Sequence, residues 1–209
     1  MVAPYPDDAS RGAMTAREDV LASVRRALAG ADRSAPDVDR RYREAEPADD
    51  LLELVVERVE DYRATVTRCP DSMVEQTIVA VVGDRSVVVP AALPWTVSGA
   101  VVDDQLSANE LDDIGAVVTA AAVGIAVTGT IVLDHGPDQG RRVISLVPDL
   151  HVCVIRAQQV RFGVPDAFAV LDPRRPQTWI SGPSATSDIE LNRVEGVHGP
   201  RNLHIVLVE

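Results

Sequence analysis

The stretch Gly115-Ala-Val-Val-Thr-Ala-Ala-Ala-Val-Gly-Ile-Ala-Val-Thr-Gly-Thr-Ile-Val-Leu-Asp134 decides the fold of this chain. It carries no charged side chain before its last residue, so we expect most of it to be buried. Its β-branched residues favour strands, and its glycines and threonines interrupt it too often for a membrane-spanning helix. We predict a strand, then a glycine-containing turn or bulge, then a second strand over residues 130–134.

Shorter apolar runs lie on both sides of this stretch, and we predict a strand in each. They are residues 77–82, 86–90, 100–103, 142–147, 151–155, 177–180 and 203–208. Runs that are apolar on both faces are typical of strands buried in a parallel sheet, because helices cover both sides of such a sheet. Residues 142–147 are expected to return as an antiparallel partner of the preceding strand, since a turn at 135–140 joins the two. The chain is therefore predicted to be α/β, with an open, mostly parallel sheet and flanking helices.

Two amphipathic helices are predicted before the sheet. Residues 15–29 carry one apolar stripe, and Thr15 and Glu18 have the spacing of a capping box. Residues 48–64 repeat apolar side chains at helical spacing, and the polar segment between the two helices has the composition of a linker. We expect an N-terminal helix and linker over residues 1–47 and one α/β domain over residues 48–209.

The net charge and the N-terminal sequence limit the classes of partner and the cellular location that we expect. The formal net charge is −12, which disfavours nucleic acid and anionic lipid as general partners. The N-terminal residues are acidic and lack the apolar core of a signal peptide, and no stretch is long and apolar enough for a membrane helix. We therefore expect a cytoplasmic protein that binds neither nucleic acid nor a membrane.

The cysteines and histidines do not form a metal-binding pattern. Cys69 and Cys153 are too few to ligate a zinc ribbon or a ferredoxin-type cluster. Cys153 lies in the apolar run His-Val-Cys-Val-Ile and is expected to be an inert core residue. His151 and His204 begin predicted strands and are expected to be structural. We predict that this chain holds no metal ion and no cofactor of its own.

The loop over residues 181–187 is the strongest candidate for ligand binding. It follows the strand that ends at Ile180, it carries several hydroxyl groups, and a helix is predicted from Ser187 to Glu195. Backbone N–H groups at that helix start, together with the hydroxyls, could hold an anion. Alternatively, Ser187 and Asp188 only cap the helix.

Four segments give the chain a family resemblance. They are Gly124-Ile-Ala-Val-Thr-Gly-Thr-Ile-Val-Leu133, Arg142-Val-Ile-Ser-Leu-Val-Pro-Asp-Leu-His-Val-Cys-Val-Ile155, Ser181-Gly-Pro-Ser-Ala-Thr-Ser-Asp-Ile-Glu190 and Gly196-Val-His-Gly-Pro200. Together they resemble the lactate-utilization protein C family, whose members carry a LUD domain. The resemblance covers roughly residues 15–209.

The resemblance implies a fold similar to the NagB/RpiA/CoA-transferase group. Ligands of open α/β sheets bind beyond the carboxyl ends of the strands, which is where the loop over residues 181–187 is expected. The resemblance also implies an accessory component of iron–sulfur-dependent oxidation of L-lactate to pyruvate. The iron–sulfur clusters would belong to partner proteins, and this chain would bind an organic acid or phosphate, the partner proteins, or both.

The predicted ligand-binding residues come from the Thr128-Gly-Thr130 motif, from residues 181–188 and from the segment that contains His198. They are Thr128, Gly129, Thr130, Ser181, Gly182, Ser184, Thr186, Ser187, Asp188 and His198. No catalytic residue is assigned. Members of the family usually carry an acidic residue before Thr-Gly-Thr, where this chain has Val127. If that carboxylate has a catalytic or binding role in the family, this chain lacks it.

Two other functions stay open from the sequence. The chain could be a stand-alone enzyme acting on a sugar phosphate or an acyl-CoA, by analogy of fold alone. It could also be a regulatory scaffold with a vestigial pocket. The sequence has no dinucleotide fingerprint and no phosphate-binding loop motif, and Gly182-Pro-Ser184 lacks the second glycine of a nucleophile elbow.

Overall fold

In a computed structural model of the chain, the structure describes residues 15–34, 37–39, 50–186, 194–195 and 198–209. The chain divides into two compact units, residues 1–41 and 42–209. The first unit contains helix α1 (Ala16–Leu28), which begins at the predicted capping box: the Thr15 backbone N–H donates to Glu18 Oε2 over 2.7 Å. None of the helices in the described part of the chain combines the length and the apolar character that crossing a lipid bilayer requires.

The second unit is built on a six-stranded parallel sheet with the strand order β1-β12-β7-β4-β2-β3. Its strands are β1 (Thr65–Cys69), β2 (Val87–Val89), β3 (Val101–Val102), β4 (Ala116–Ala120), β7 (Leu150–Arg156) and β12 (Asn202–Val208). The central strand β7 is buried over Leu150–Ile155, as expected for a strand covered on both faces. The predicted α/β class with a mostly parallel sheet is therefore confirmed.

Alternate residues of the parallel sheet face two different layers. On one face, Val152 and Val154 of β7 pack in a cluster with Val74, Ile78 and Val82 of helix α3 (Val74–Val82). On the other face, the side chains of β7 and β12 pack in a cluster with α2 (Leu51–Asp61) and with a second sheet. The candidate site lies on this second face.

The second sheet is mixed and has the strand order β8-β5-β6-β9. Its strands are β5 (Val123–Ile125), β6 (Thr130–Leu133), β8 (Val160–Arg161) and β9 (Thr178–Ile180). Strand β6 pairs antiparallel with both β5 and β9. Helix α5 (Val164–Phe168) packs on its outer face, where Ala167 joins a cluster with Val123 and Val132.

The remaining elements are short. Helix α4 (Ala108–Asp112) begins at Ser107, whose hydroxyl accepts from the Glu110 backbone N–H over 3.3 Å. Strands β10 (Ala185–Thr186) and β11 (Val194–Glu195) form a two-stranded antiparallel pair. The described residues also contain 3-10 turns over Asp71–Met73, Arg142–Ser145 and Ala157–Gln159.

Three predictions about local structure are wrong. Residues 77–82 lie in helix α3, because Val74, Ile78 and Val82 form a buried stripe with a four-residue spacing. Arg142–Ser145 is a 3-10 turn instead of a strand, and its buried side chains Ile144 and Ser145 face inwards without a sheet partner. Val194–Glu195 is a strand, so the predicted helix does not extend to Glu195; its start at Ser187 lies outside the described residues.

The expected position of the 181–187 loop is also wrong. Strand β9, which leads into it, belongs to the mixed sheet and pairs antiparallel with β6. The rule about carboxyl ends of parallel strands therefore does not apply to this loop. The loop instead lies near the segment before β12, since the Ser184 backbone N–H donates to Pro200 O over 2.8 Å.

Candidate functional site

A cavity of about 330 Å³ opens at the amino ends of the parallel strands. One wall is the segment Thr178–Ser184 at the end of β9, and the opposite wall is formed by residues 198–200 before β12. His151, the second residue of β7, and the 3-10 turn that contains Arg142 complete the lining. The cavity thus lies where two sheets and two connecting segments meet.

The charge in this cavity is of one sign. Arg142 is its only permanently charged residue among the described lining residues, and no aspartate or glutamate lines it there. The described residues include no hydrogen-bond or ion-pair partner for the Arg142 side chain. Its neighbour Arg141 differs, because it donates to both carboxylate oxygens of Asp103, over 2.7 and 2.5 Å. In a chain of net charge −12, an unpaired cation in a cavity whose described lining has no carboxylate is a suitable place for a small anion.

His151 adds a neutral polar group to the cavity. Its ring is 1% exposed, and burial lowers the pKa of the imidazole to about 4. The ring is therefore uncharged at neutral pH. Its Nε2 lies 2.8 Å from the hydroxyl of Thr119 on the neighbouring strand β4.

A chain of hydrogen-bonded hydroxyl groups connects the Thr128-Gly-Thr130 motif with the 181–187 loop. Thr128 Oγ1 lies 2.7 Å from Thr130 Oγ1, which in turn lies 2.8 Å from Ser181 Oγ. Ser181 lines the cavity, whereas Thr128 lines a separate surface depression beside α2. The structure thus joins residues that are 51 positions apart in the chain, but only Ser181 of the three reaches the cavity.

The two motif glycines pack against the end of α2. A Cβ atom on Gly129 would lie 2.6 Å from the backbone carbonyl of Arg58, and one on Gly182 would lie 2.7 Å from Tyr62 O. Both glycines also have positive φ angles, +56° and +83°. Close approach of the helix and a left-handed backbone together explain why both positions are glycine.

Ser184 and His198 meet across the cavity mouth. The Ser184 hydroxyl accepts a hydrogen bond from the His198 backbone N–H over 3.1 Å. The His198 side chain itself is exposed, and both residues line the cavity. This contact and the Ser184–Pro200 backbone bond hold the two walls together.

The predicted ligand-binding residues therefore separate into groups. Ser181, Gly182, Ser184 and His198 line the cavity. Thr130 contacts Ser181, Gly129 packs on α2, and Thr128 lines the depression beside α2. Thr186 is in β10, while Ser187 and Asp188 lie outside the described residues. Ligand binding by this set stays a prediction.

Two lining residues, Arg142 and His151, were absent from the predicted set. The sequence predicts a strand over residues 142–147 and a structural role for His151. An arginine before an apolar segment, and a histidine inside a valine-rich strand, are the sequence signals that could have pointed to them. Neither signal shows by itself that both side chains meet in one cavity.

Val127 lies away from the cavity. Its side chain is 44% exposed and lines the depression beside α2, together with Arg58, Tyr62 and Thr128. Its backbone N–H donates to Phe162 O over 3.0 Å. The valine at this position therefore leaves the lining of the cavity unchanged.

Metal and thiol chemistry receive no support from the described residues. Nowhere in that part of the chain do three potential metal-ligating side chains (histidine, cysteine, aspartate or glutamate) cluster. Cys153 is fully buried, and burial raises the pKa of its thiol to about 12, so it is an inert core residue as predicted. Cys69 is also buried, and neither cysteine is in a disulfide.

Comparison with known proteins gives the family. A model of the LUD domain matches residues 44–208. A lactate utilization protein C from Deinococcus radiodurans is 44% identical over 205 residues, which cover 92% of this chain and 95% of that protein. A lactate utilization protein C from Bacillus licheniformis is 29% identical over 123 residues, which cover 55% of this chain and 50% of that protein.

Solved structures agree with the sequence matches. The crystal structure of a DUF162 family protein from Deinococcus radiodurans aligns with a TM-score of 0.66 and 39% identity, covering 76% of this chain and 96% of that one. The region matched by the LUD model contains every element from α2 to β12, and with them the cavity. On these matches, the chain belongs to the LUD domain family.

Proposed function

We propose that this chain takes part in L-lactate utilization and that its cavity binds a small organic acid anion. The observation that carries the proposal is the unpaired Arg142 in a cavity without described carboxylates. The names of the related proteins from Deinococcus radiodurans and Bacillus licheniformis support the pathway, since both are lactate utilization protein C. L-lactate and its oxidation product pyruvate are both small carboxylates.

The geometry suits recognition of a carboxylate. A guanidinium group can donate two parallel hydrogen bonds to a carboxylate, and such charge-assisted bonds contribute about 1.5–3 kcal/mol. Ser181 and Ser184, in the wall formed by residues 178–184, supply further polar groups. A volume of about 330 Å³ leaves room for water beside a three-carbon acid.

Calorimetric titration with L-lactate and pyruvate tests the binding. We expect both acids to bind, and Arg142→Gln to weaken binding at least about tenfold, equivalent to 1.4 kcal/mol. Arg174→Gln is the matched control, because it removes the same charge from an 88% exposed side chain that pairs with Asp172. Equal weakening by both substitutions would mean that the cavity gives no specific recognition.

Growth tests the pathway separately from the cavity. Deleting the gene is expected to abolish growth on L-lactate as sole carbon source, and the wild-type gene is expected to restore it. Complementation by Arg142→Gln should fail, and complementation by Arg174→Gln should succeed. Normal growth of the deletion strain, in an organism with no second lactate oxidation route, would contradict the proposed pathway.

We propose further that the redox centres belong to partner iron–sulfur proteins. The family resemblance implies such partners, and the names of the related proteins support the context of a lactate utilization system. Anaerobic purification of the tagged protein from lactate-grown cells should recover iron and acid-labile sulfide with it. Purification of the chain alone, with neither iron nor sulfide under these conditions, would count against a stable complex.

A further inference from the structure

His151 occupies a fixed position in the cavity. It pairs in register with Val117 on β4 and Leu203 on β12, so apolar side chains flank it on both neighbouring strands. Thr119, two residues further along β4, lies on the same face of the sheet and contacts the ring through its hydroxyl. The ring therefore has little freedom to turn.

One ring nitrogen is engaged within the protein, and the other faces the cavity. The Thr119 hydroxyl lies 2.8 Å from Nε2 and 3.6 Å from Cys153 Sγ, and its single hydrogen can be donated to either atom. The described residues provide no partner for Nδ1. Since none of their side-chain nitrogen or oxygen atoms is both fully buried and unpartnered, Nδ1 is the atom through which His151 reaches the cavity.

A neutral imidazole with this partner can either donate or accept at Nδ1. Burial keeps the pKa of the ring near 4, so the ring carries one proton at neutral pH. A hydroxyl group such as that of Thr119 can accept from Nε2–H or donate to the bare Nε2. Nδ1 can therefore accept a hydrogen bond from an alcohol or donate one to a ketone without a change in charge.

We propose that His151 binds the oxygen on carbon 2 of the anion that Arg142 holds, and thereby selects 2-hydroxy and 2-oxo monocarboxylates. This inference rests on the proposed function, because it requires a carboxylate in the cavity. Arg142 recognises the carboxylate, which every organic acid has, whereas His151 recognises the oxygen that distinguishes L-lactate and pyruvate from propionate. Thr119 is a positioning residue that keeps Nδ1 directed at the cavity.

The test compares three acids of similar size: L-lactate, pyruvate and propionate. We expect the wild-type protein to bind L-lactate and pyruvate at least about tenfold more tightly than propionate, the equivalent of one hydrogen bond to the 2-oxygen. His151→Leu should bind L-lactate no more tightly than propionate, while its affinity for propionate stays within about twofold of the wild type. Thr119→Val should reduce the preference and leave propionate binding unchanged.

The outcomes separate this inference from the proposed function. Failure of the wild-type protein to bind any of the three acids would overturn both. Equal binding of all three would overturn only the role of His151 and leave the anion site standing. A preference for L-lactate over propionate that persists in His151→Leu would also overturn the proposed role of His151.

A measurement on the wild-type protein covers the case in which the His151 variants do not fold. Nitrogen-15 NMR of labelled histidine should show the His151 Nδ1 resonance shifting with saturating L-lactate and pyruvate, and not with saturating propionate. His204 is the internal control, because it does not line the cavity and its Nε2 lies 2.8 Å from Thr67 Oγ1. The same shift with propionate would contradict the inference.

Discussion

Two cavities at opposite ends of the parallel sheet differ in how their arginine side chains are engaged. Beyond the carboxyl ends of β4 and β7 lies a depression of about 390 Å³, where Arg175 pairs with Asp134 over 2.7 Å. At the amino ends, Arg142 has no such partner among the described residues. A depression whose charges pair internally is a structural feature, whereas an unpaired cation can still bind a ligand.

The polar side chains at the carboxyl end are also engaged. Gln139 Oε1 accepts from the Asp134 backbone N–H over 2.7 Å, and Gln159 Nε2 donates to Ala121 O over the same distance. These contacts join loops to strand ends. The position where open α/β sheets commonly bind ligands is therefore used in this protein for internal hydrogen bonds.

The largest expected effect comes from the helix that supports the amino-end cavity. Gly129→Ala would force a Cβ into the Arg58 carbonyl and also strain a backbone with φ +56°, so we expect the free energy of unfolding to fall by about 3 kcal/mol or more. Gly99→Ala is the control, because its φ is +75° but nothing lies within 4 Å. Gly99→Ala should lower the free energy of unfolding only by the cost of the strained backbone, about 1 kcal/mol. Equal losses in denaturant unfolding would show that α2 packing contributes nothing.

The second prediction concerns acid sensitivity at the amino end. The pKa of His151 is lowered from 6.5 to about 4, so the unfolded chain binds a proton more readily than the native state between those values. Stability should therefore decrease as the pH falls from 6.5 to 4, by about 3 kcal/mol, and the loss should be complete below pH 4.

Substitution separates this contribution from the others. His151→Gln should flatten the stability profile between pH 6.5 and 4, as measured by urea unfolding. Desolvation also lowers the pKa of the half-buried His204, so His204→Gln should remove a smaller part of the slope. An unchanged slope in His151→Gln would contradict the assignment of a buried, neutral imidazole.

The smallest effect tests the comparison of charges directly. Arg175→Gln should lower the free energy of unfolding by about 1 kcal/mol, since it leaves the mostly buried Asp134 carboxylate without its partner. Arg142→Gln should change it by less than about 0.5 kcal/mol, because among the described residues its side chain has no hydrogen bond or ion pair to lose. Thermal unfolding of both variants measures the difference. A larger loss for Arg142→Gln would mean that Arg142 is structural.

The fold could be predicted largely because its strands have a distinctive composition. Strands β4, β7 and β12 are rich in β-branched residues and buried on both faces, so their sequences have almost no alternation. The same composition led to the wrong prediction of a strand at residues 77–82. There the valines lie in a helix whose outer face includes the half-exposed Val79. Composition alone does not distinguish a buried strand from a buried helix of this length.

The site could be predicted only in part, because it depends on contacts between distant segments. Hydroxyl-bearing motifs are visible in the sequence, and the structure does connect Thr130 with Ser181. Strand β9 pairs with β6, and this pairing places the 181–184 loop at the amino end of the parallel sheet. No local sequence pattern indicates that pairing. The same holds for the meeting of Arg142 and His151, since each lies in a different element.

The packing of Gly129 and Gly182 on α2 changes how their motifs should be interpreted in related sequences. At both positions a side chain is excluded by the backbone of a helix, not by a bound molecule. Invariance of these glycines across a set of homologues would therefore measure selection for helix docking. Information about ligand specificity would have to come from the columns of the alignment that contain Arg142 and His151.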